Sequence, residues 1–341
     1  MKGSRILHSH RQALTLLERA RVRLDDTNVV YDTVDDTMCR TFNLPWRNLS
    51  VLLLGQGTSI TNSAMRRLSE DDVLVAFTGS GGTPLVMASH NEGCHRNSRY
   101  LRPWVDIWTD PEKSLAAARS FQETRLASLE AVAEKIEPGF DFHEIEDLCG
   151  RYRKKMKTAD NTAALMGFEG DFRESLYAQM ASRWRIGSFK RIQRVRARDQ
   201  DDDARVRFVS RAIDHGNDLA CGVASLVLWI LGIPGNMAVS HGHSRAGGLV
   251  CDLADSYKDA FVLPMAFALA AKADTAEPFD ENLHRARVLS AFDGGSRNDS
   301  RVIGIAVQAM KDAIRSAGSD VSDDDAGDAP CSSGSAPGGD Q

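Results

Sequence analysis

The sequence predicts an α+β protein in which a β-rich segment comes first and a larger helical segment follows. Up to about residue 100, short apolar runs alternate with turn residues, as is typical of strands. From Trp104 onward, directly after Pro103, apolar residues recur with the period of amphipathic helices. We therefore predict a β-rich domain at residues 1–102, an all-α domain at 103–318 and a disordered acidic tail at 319–341.

The composition is that of an ordinary globular chain. With 341 residues, 42% of them hydrophobic and 26% charged, it can bury two cores. The net charge of -5 lies in the tail, where six aspartates stand without a base, so the rest of the chain carries +1. Six scattered cysteines without a CxxC pair favour reduced thiols. We expect a cytoplasmic protein with no membrane partner, because neither a membrane-spanning apolar run nor a signal-peptide core is present.

Within the first hundred residues, the pattern predicts strands in a fixed order. Loose alternation over residues 14–24 is broken by the polar turn at 25–28 and restarts after it, which indicates a hairpin. The apolar run at 49–54 predicts a buried strand, and 73–77 predicts another. Between these two strands we expect a short helix capped by Thr58 or Ser59.

The second part of the chain is predicted to be helical almost throughout. The apolar stripes alone indicate these elements, and the long apolar helix just before residue 232 should be central to the core. The predicted helices span residues 115–134, 142–156, about 163–184, 205–231, 249–271, 279–292 and 300–317.

The stretch HGHSRAGGLVCDLADSYK, residues 241–258, carries the densest set of polar groups in an apolar setting. If the segment from residue 249 is a helix, Asp252 and Asp255 lie on one face because they are three residues apart. Two carboxylates beside the imidazoles of His241 and His243 suit a divalent metal. The alternative, a solvated polar face, stays open at this point.

Glu169 is the second polar residue that the pattern singles out. It lies in an apolar helical stripe between Gly167 and Gly170. Each glycine costs a helix about 1 kcal/mol, so we expect compensation by the close approach of another backbone or of a ligand. The alternative is an exposed glutamate.

Two basic blocks stand out in the nearly neutral body of the chain. Residues 151–157 contain five bases, and residues 183–198 contain seven bases and no acid. Such blocks are either solvated helix faces or phosphate contacts. In the second reading, Lys154, Arg191 and Arg194 would bind DNA backbone.

Four motifs then carry a resemblance to a known family. They are NLSVLLLGQGTSITNSAMRRL, GFEGDFRESLYA, NDLACGVASLVLWILGIP and HGHSRAGGLVCDLADSYKDAFVLP, in this order. Over residues 4–316 the chain resembles the universal CRISPR-associated spacer-acquisition integrase, also described as a DNA endonuclease, and most closely its subtype I-F branch. The resemblance implies an N-terminal β-sandwich used for dimerisation and partner contact, and a helical catalytic domain. It also implies a homodimer and a small ferredoxin-like partner fused to a helicase-nuclease.

The resemblance also implies roles for individual residues. Glu169, His241 and Asp255 match the family's metal-binding residues, and Asp252 would support them as a nearby acid of the catalytic group. His243 is a second candidate imidazole, and we prefer His241 because its spacing to Asp252 fits. Arg245 and Lys258 match basic positions around the site and would face phosphate.

The chemistry implied is transesterification. The 3′-hydroxyl ends of captured DNA fragments, the prespacers, would attack the CRISPR repeat with Mg²⁺ or Mn²⁺ bound, and the same site would cleave branched DNA. Mainly oxygen ligands favour these ions over Zn²⁺. Two alternatives remain: a structure-selective metal-dependent DNA nuclease of repair, and a DNA-binding scaffold without catalysis.

Overall fold

The structure is a computed structural model, and it confirms the α+β class. It describes residues 12–35, 38–71, 73–78, 84–88, 98–133, 141–192, 203–241, 247–272, 279–293 and 301–319. Within these residues every strand precedes residue 89, and all α-helices but one follow residue 100. The boundary at residue 102 stays a prediction, and the tail from residue 320 lies outside the described residues.

Strands form two sheets of four. They are β1 (Gln12–Leu17), β2 (Ala20–Asp25), β3 (Asn28–Asp35), β4 (Met38–Asn43), β5 (Leu49–Leu54), β6 (Ser59–Ile60), β7 (Leu74–Thr78) and β8 (Pro84–Ala88). The first sheet has the order β1-β5-β7-β8, and the second has the order β4-β3-β2-β6. A short 3₁₀ helix at Trp46–Asn48 leads into β5.

In the first sheet, β5 pairs in parallel with both β1 and β7, while β7 and β8 are antiparallel. Parallel neighbours need a crossover, and helix α1 (Asn62–Glu70) supplies it between β5 and β7. The predicted caps Thr58 and Ser59 are wrong: Thr61 caps α1 by accepting a hydrogen bond from the amide of Ala64. The reason is that Ser59 still pairs with β2 as part of β6, which keeps the chain extended up to the cap.

The predicted hairpin is confirmed in the second sheet. Asp25 pairs with Asn28 across the turn between β2 and β3, and Asp26 takes the left-handed backbone conformation there, with φ of 53°. Strand β4 forms the edge of this sheet and is exposed along its whole length.

The two sheets share one core, which confirms the predicted sandwich. Val22 and Val29 come from the second sheet, Leu49 and Leu52 come from the first, and Leu68 of α1 joins them. All five side chains are buried. The apolar alternation of both sheets therefore points into the layer between them.

The helical part contains nine described helices after α1. They are α2 (Leu101–Thr109), α3 (Pro111–Ala133), α4 (Phe142–Lys157), α5 (Thr162–Arg183), α6 (Ala204–Leu231), α7 (Gly248–Asp255), α8 (Lys258–Lys272), α9 (Glu281–Asp293) and α10 (Arg301–Ser316). Most predicted spans agree with these bounds to within a few residues. None of the described helices has the length and hydropathy needed to cross a bilayer.

The helix predicted at 249–271 is two helices, which corrects that expectation. The amides of Ser256 and Tyr257 bond to the carbonyls of Leu253 and Ala254, three residues back, so the turn tightens and the helix ends. Tyr257 is buried, and its hydroxyl donates to the carbonyl of Ala220 on α6 at 2.7 Å. This break makes Lys258 the first residue of a new helix.

Helix α6 lies at the centre of the helical core and also touches the sheets. Gly216 permits a close approach to α8, since a Cβ there would lie 2.5 Å from Cγ1 of Val262. Toward its other end, Leu226 packs against Val51 and Leu53 on the outer face of the first sheet. The two parts of the chain are therefore joined by a buried apolar contact.

Candidate active site

Helix α7 carries two predicted site residues in buried positions. Gly247 precedes the helix with φ of 67°, a left-handed conformation that glycine adopts without strain. Asp252 is 2% exposed and Asp255 is 4% exposed. The alternative of a solvated polar face is therefore wrong for this pair.

Asp252 fastens the preceding segment to α7. Its Oδ2 accepts hydrogen bonds from the amides of Val239, at 2.8 Å, and Ser240, at 3.0 Å. Its Oδ1 accepts from the amide of His241 at 3.2 Å and lies 2.5 Å from Nδ1 of that imidazole. One carboxylate thus fixes both the chain path and the ring of His241, as the carboxylate partners of metal-binding histidines do.

Asp255 lies on the other side of the imidazole. Its Oδ2 is 3.9 Å from Nε2 of His241, and its Oδ1 contacts Nζ of Lys258. Burial alone would raise the pKa of Asp255, but the positive charges of Lys258 and Arg125 outweigh it, so the pKa is lowered. Burial likewise would lower the pKa of Lys258, but Asp255 and Asp259 outweigh it, so that pKa is raised. Both groups stay charged at neutral pH.

Glu169 is buried inside helix α5, so the alternative of an exposed glutamate is wrong. Its Oε1 accepts a hydrogen bond from Nη1 of Arg125 at 2.7 Å, and its Oε2 accepts from Nη2 of Arg173 at 2.5 Å. No other described part of the chain lies within 4 Å of a Cβ built on Gly167 or Gly170. A second backbone therefore does not compensate for these glycines, and an approaching ligand stays the prediction.

Arg125 of α3 connects Glu169 with the α7–α8 segment. Its Nε donates to Oδ2 of Asp259 at 2.8 Å, and Nη2 contacts the same oxygen. Burial would lower the pKa of Arg125, but the charges of Asp259, Glu169 and Asp255 raise it well above its ordinary value. Burial raises the pKa of Tyr152, and the charges of Glu169 and Asp255 raise it further. Glu169 therefore contacts the guanidinium directly, and Asp255 acts on it through its charge.

The donor set fits a hard divalent cation in part. The 3.9 Å between Nε2 of His241 and Oδ2 of Asp255 does not exceed twice a metal–ligand bond of about 2.1 Å, so one ion can touch both. Within the described residues, no group of three or more His, Cys, Asp and Glu side chains is arranged as a metal site. The carboxylates of Glu169 and Asp255 carry arginine and lysine partners instead, and their joint metal binding stays a prediction.

Comparison with known proteins assigns the chain to a family. A sequence model described as CRISPR associated protein Cas1 matches residues 14–291, which is most of the chain. The chain belongs to the Cas1 family. The resemblance carried by the four motifs is thereby confirmed.

Two curated Cas1 relatives match nearly the full chain. A CRISPR-associated endonuclease Cas1 of Pectobacterium atrosepticum is 35% identical over 302 residues, which cover 84% of this chain and 89% of the relative. The protein of the same name from Pseudomonas aeruginosa is 37% identical over 303 residues, which cover 83% of this chain and 91% of the relative. Both names state an endonuclease, in agreement with the predicted enzyme class.

Solved structures with this fold include further Cas1 proteins and a casposase. A CAS1 protein from Thermotoga maritima superposes with a TM-score of 0.64 at 16% identity, covering 90% of this chain and 97% of that one. A casposase bound to integration product gives a TM-score of 0.63 at 15% identity, covering 90% and 91%. At these identities the likeness concerns the fold, and it agrees with the predicted α+β architecture.

The residues predicted to contact DNA differ in their exposure and in their partners. Lys154 is exposed on α4. The guanidinium of Arg191 instead donates to the hydroxyl of Tyr177 at 3.1 Å and to Asp214 at 2.7 Å, which favours a structural role. Lys258 is largely buried against Asp255. Arg194, Arg245 and His243 lie outside the described residues.

Sequence reasoning did not find Arg125 and Arg173, the cations that hold Glu169, or Asp259, the partner of Arg125. Arg125 is four residues after Phe121 and four before Leu129, both of which face the core. A charged residue in the apolar stripe of a long helix was the available signal, because such a residue is buried only with partners. Arg173 gave a weaker signal, since its spacing of four residues from Glu169 is common on solvated helix faces.

Proposed function

We propose that this Cas1 family chain inserts captured DNA fragments into a CRISPR array. The 3′-hydroxyl of a fragment attacks a phosphodiester of the repeat, so that a bond from the 3′-oxygen to phosphorus forms while the repeat's own P–O3′ bond breaks. The attacking hydroxyl loses its proton, and the departing oxygen gains one. With water as the nucleophile, the same site cleaves branched DNA. The endonuclease names of the two curated relatives support this proposal.

One observation carries the proposal: His241 is held between two buried carboxylates. With the proton on Nδ1 donated to Asp252, Nε2 presents its lone pair toward Asp255. The adjacent ammonium of Lys258 keeps its charge at neutral pH because Asp255 and Asp259 face it. An imidazole with a fixed tautomer lies beside a permanent cation. Together these two groups are suited to bind a phosphodiester anion and to stabilise its charge.

Glu169, His241 and Asp255 are the residues that would hold a divalent cation. When bound, the cation lowers the pKa of the attacking hydroxyl and neutralises charge on the phosphate. The oxygen-rich donor set favours Mg²⁺ or Mn²⁺ over Zn²⁺. Asp252 acts through His241, because it holds the ring from the opposite side.

The partners proposed are prespacer DNA, the CRISPR repeat and other protein chains. We assign dimerisation and partner contact to the sheets at residues 1–102 and catalysis to the helices at 103–318. The chain would act as a homodimer with a small ferredoxin-like CRISPR-associated protein fused to a helicase-nuclease. A complex of Cas6-RT-Cas1 with Cas2 contains a chain of this fold, with a TM-score of 0.61 over 91% of this chain and 35% of that one, which supports assembly with further proteins.

A strand-transfer assay tests the proposed reaction. The chain, with its partner, is mixed with prespacer DNA and a supercoiled plasmid that bears the repeat, in Mn²⁺, in Mg²⁺ or with a chelator. We expect wild type to join fragments to the repeat with either ion, and Glu169→Ala and Asp255→Ala to lose at least about 100-fold in rate, since each removes a ligand of the cation.

The same assay separates the alternatives. Junction cleavage that is equal on repeat-bearing and repeat-free plasmids would indicate a repair nuclease. Full fragment insertion by Asp255→Ala would indicate a scaffold whose chemistry is supplied by another protein.

A further inference from the structure

The two oxygens of Glu169 have cationic partners of very different kinds. Oε1 is bound by Arg125, whose side chain is 1% exposed, and Oε2 by Arg173, whose side chain is 33% exposed. A partly exposed arginine can exchange its partner for water, whereas a buried arginine is held by its surroundings. The contact with Arg125 is therefore the fixed one.

Arg125 is itself held from several sides. Asp259 accepts from Nε at 2.8 Å, and the amide oxygen of Gln122 accepts from Nη1 at 3.2 Å. The same oxygen of Gln122 accepts from the hydroxyl of Tyr152 at 3.2 Å. The guanidinium lies over the ring of Phe172, 5.2 Å from its centroid. Because the guanidinium of Arg125 is planar and has partners on each side, it is held in a single orientation.

These contacts join three helices next to the proposed site. Arg125 belongs to α3 and Glu169 to α5, while Asp259 lies in the first turn of α8 and directly follows Lys258. The guanidinium thus sets the position of the Glu169 carboxylate relative to the segment that bears Asp255. A buried arginine is strongly unfavourable unless it is paired, so the folded chain keeps this bridge intact.

We propose that Arg125 is a positioning residue that fixes Glu169 for cation binding, and that Arg173 is the partner that yields its oxygen to the ion. This inference rests on the proposed function, because it takes Glu169 to be a ligand. Arg125 touches neither DNA nor the cation and acts through Oε1 of Glu169. Oε2 then remains for the ion once Arg173 turns outward.

The substitution Arg125→Lys tests position separately from charge. Lysine keeps the positive charge but has a single ammonium in place of a planar fork, so it cannot bridge Asp259 and Glu169 with the same geometry. Loss of a group that orients a metal ligand typically weakens metal affinity by about 10- to 100-fold. We expect Mn²⁺ affinity, measured without DNA by electron paramagnetic resonance of free Mn²⁺, to fall at least about tenfold.

A second readout uses the reaction itself. The Mn²⁺ concentration that gives half-maximal strand transfer should rise by the same factor in Arg125→Lys, while the rate at saturating Mn²⁺ should approach that of wild type. A general loss of structure would lower the rate at every Mn²⁺ concentration. If Arg125→Lys does not fold, Gln122→Met serves instead, because it removes one contact of Arg125 without changing the charge, and we expect about threefold weaker binding.

Two variants carry the same arginine-to-lysine change elsewhere. Arg285 is 3% exposed and pairs with Glu18 at 2.6 Å between α9 and the sheets, so Arg285→Lys should reduce thermal stability and leave Mn²⁺ affinity unchanged. Arg173→Lys should keep Mn²⁺ affinity within about twofold, because the Arg173 side chain is partly exposed and its contact is not the one that fixes Glu169.

The outcomes distinguish this inference from the proposed function. If wild type binds Mn²⁺ no better than Glu169→Ala does, Glu169 is not a ligand and the proposed metal site fails. If Glu169→Ala loses the ion but folded Arg125→Lys, or Gln122→Met in its place, binds it as wild type does, then only the positioning role is overturned.

Discussion

At the scale of single residues, the helical core contains a pair of buried histidines, His215 and His284, apart from the proposed site. Nδ1 of His215 on α6 lies 2.7 Å from Nδ1 of His284 on α9. Because one Nδ1 must donate and the other accept, this contact requires at least one neutral ring. Phe279 packs edge-on against His215 and near His284. The pair therefore joins two helices only while it is not fully protonated.

This pair predicts a loss of stability in weak acid. Burial, with the nearby charges of His215 and Arg287, lowers the pKa of His284 to about 3. Between that value and about 6.5, the unfolded chain binds a proton that the native chain does not, so the free energy of unfolding decreases as pH falls through this window. At pH 5 the expected loss from His284 is about 2 kcal/mol relative to pH 7. Urea unfolding at both pH values measures it.

The variant His284→Asn provides the comparison. Its amide can take the place of Nδ1 but does not titrate, so the variant should lose less stability than wild type between pH 7 and pH 5. His143 has an 89% exposed side chain, and His143→Asn should follow wild type. Equal pH dependence in all three proteins would contradict the assignment.

A site residue can be predicted from the sequence when its neighbours in the chain make it unusual, and not when only its partners in the fold do. Asp252 and Asp255 can be recognised in the sequence because they interrupt an apolar run. Glu169 can be recognised because glycines flank it. Arg125 is visible only once three helices are packed, since its partners lie 44 and 134 residues away. A single sequence gives the charged residues of such a network but not their pairing.

At the scale of elements, the break between α7 and α8 decides what Lys258 does. As the first residue of α8, Lys258 lies against Asp255, the last residue of α7. No glycine or proline marks the break, and buried Tyr257 makes it by reaching Ala220 on a different helix. Helix bounds that depend on apolar periodicity were therefore largely predictable, whereas this one depended on a tertiary contact.

The crossing of α6 and α8 gives a prediction at the same scale. A Cβ added at Gly216 would lie 2.5 Å from Cγ1 of Val262, closer than any real contact, so Gly216→Ala must separate the two helices or distort them. We expect a loss of about 1–3 kcal/mol despite the better helix propensity of alanine. Calorimetric melting gives the change.

Gly304 on α10 is the matched position. It is exposed, and nothing lies within 4 Å of a Cβ built there, so Gly304→Ala should be neutral or stabilise by up to about 1 kcal/mol. If Gly216→Ala were equally harmless, the close packing of α6 on α8 would not hold.

At the scale of the whole molecule, the basic residues differ in how far acidic partners neutralise their charge. In the basic block at 151–157, Arg153 is bound by Glu123 at 2.7 Å and Glu130 at 2.6 Å, and Lys155 by Asp171 at 3.2 Å. Lys154 is exposed on the same helix. The number of bases in the sequence therefore overstates the charge that this face offers to phosphate.

Lys154 should accordingly contribute to the salt dependence of DNA binding. Each phosphate contact adds about 0.9 to the slope of log affinity against log salt concentration for duplex DNA, because one counterion is released. We expect Lys154→Gln to reduce that slope by about one. Fluorescence anisotropy between about 50 and 200 mM salt measures the slope, because DNA affinity changes strongly over this range.

Arg153→Gln is the companion variant in that experiment. Since its guanidinium is engaged by two glutamates, the slope should stay at the wild-type value. An unchanged slope in Lys154→Gln as well would assign the whole block to an ordinary surface.

Helix α6 spans the distance between the sheets and α8, the helix that begins with Lys258 of the proposed site. Leu226 rests on the sheets and Gly216 rests on α8, ten residues or about 15 Å apart. A tilt of about 4° at one end moves the other by about 1 Å, a displacement that can change a rate by roughly 100-fold. A protein that binds the β-sandwich and tilts α6 would therefore change the alignment of the proposed site residues without contacting them.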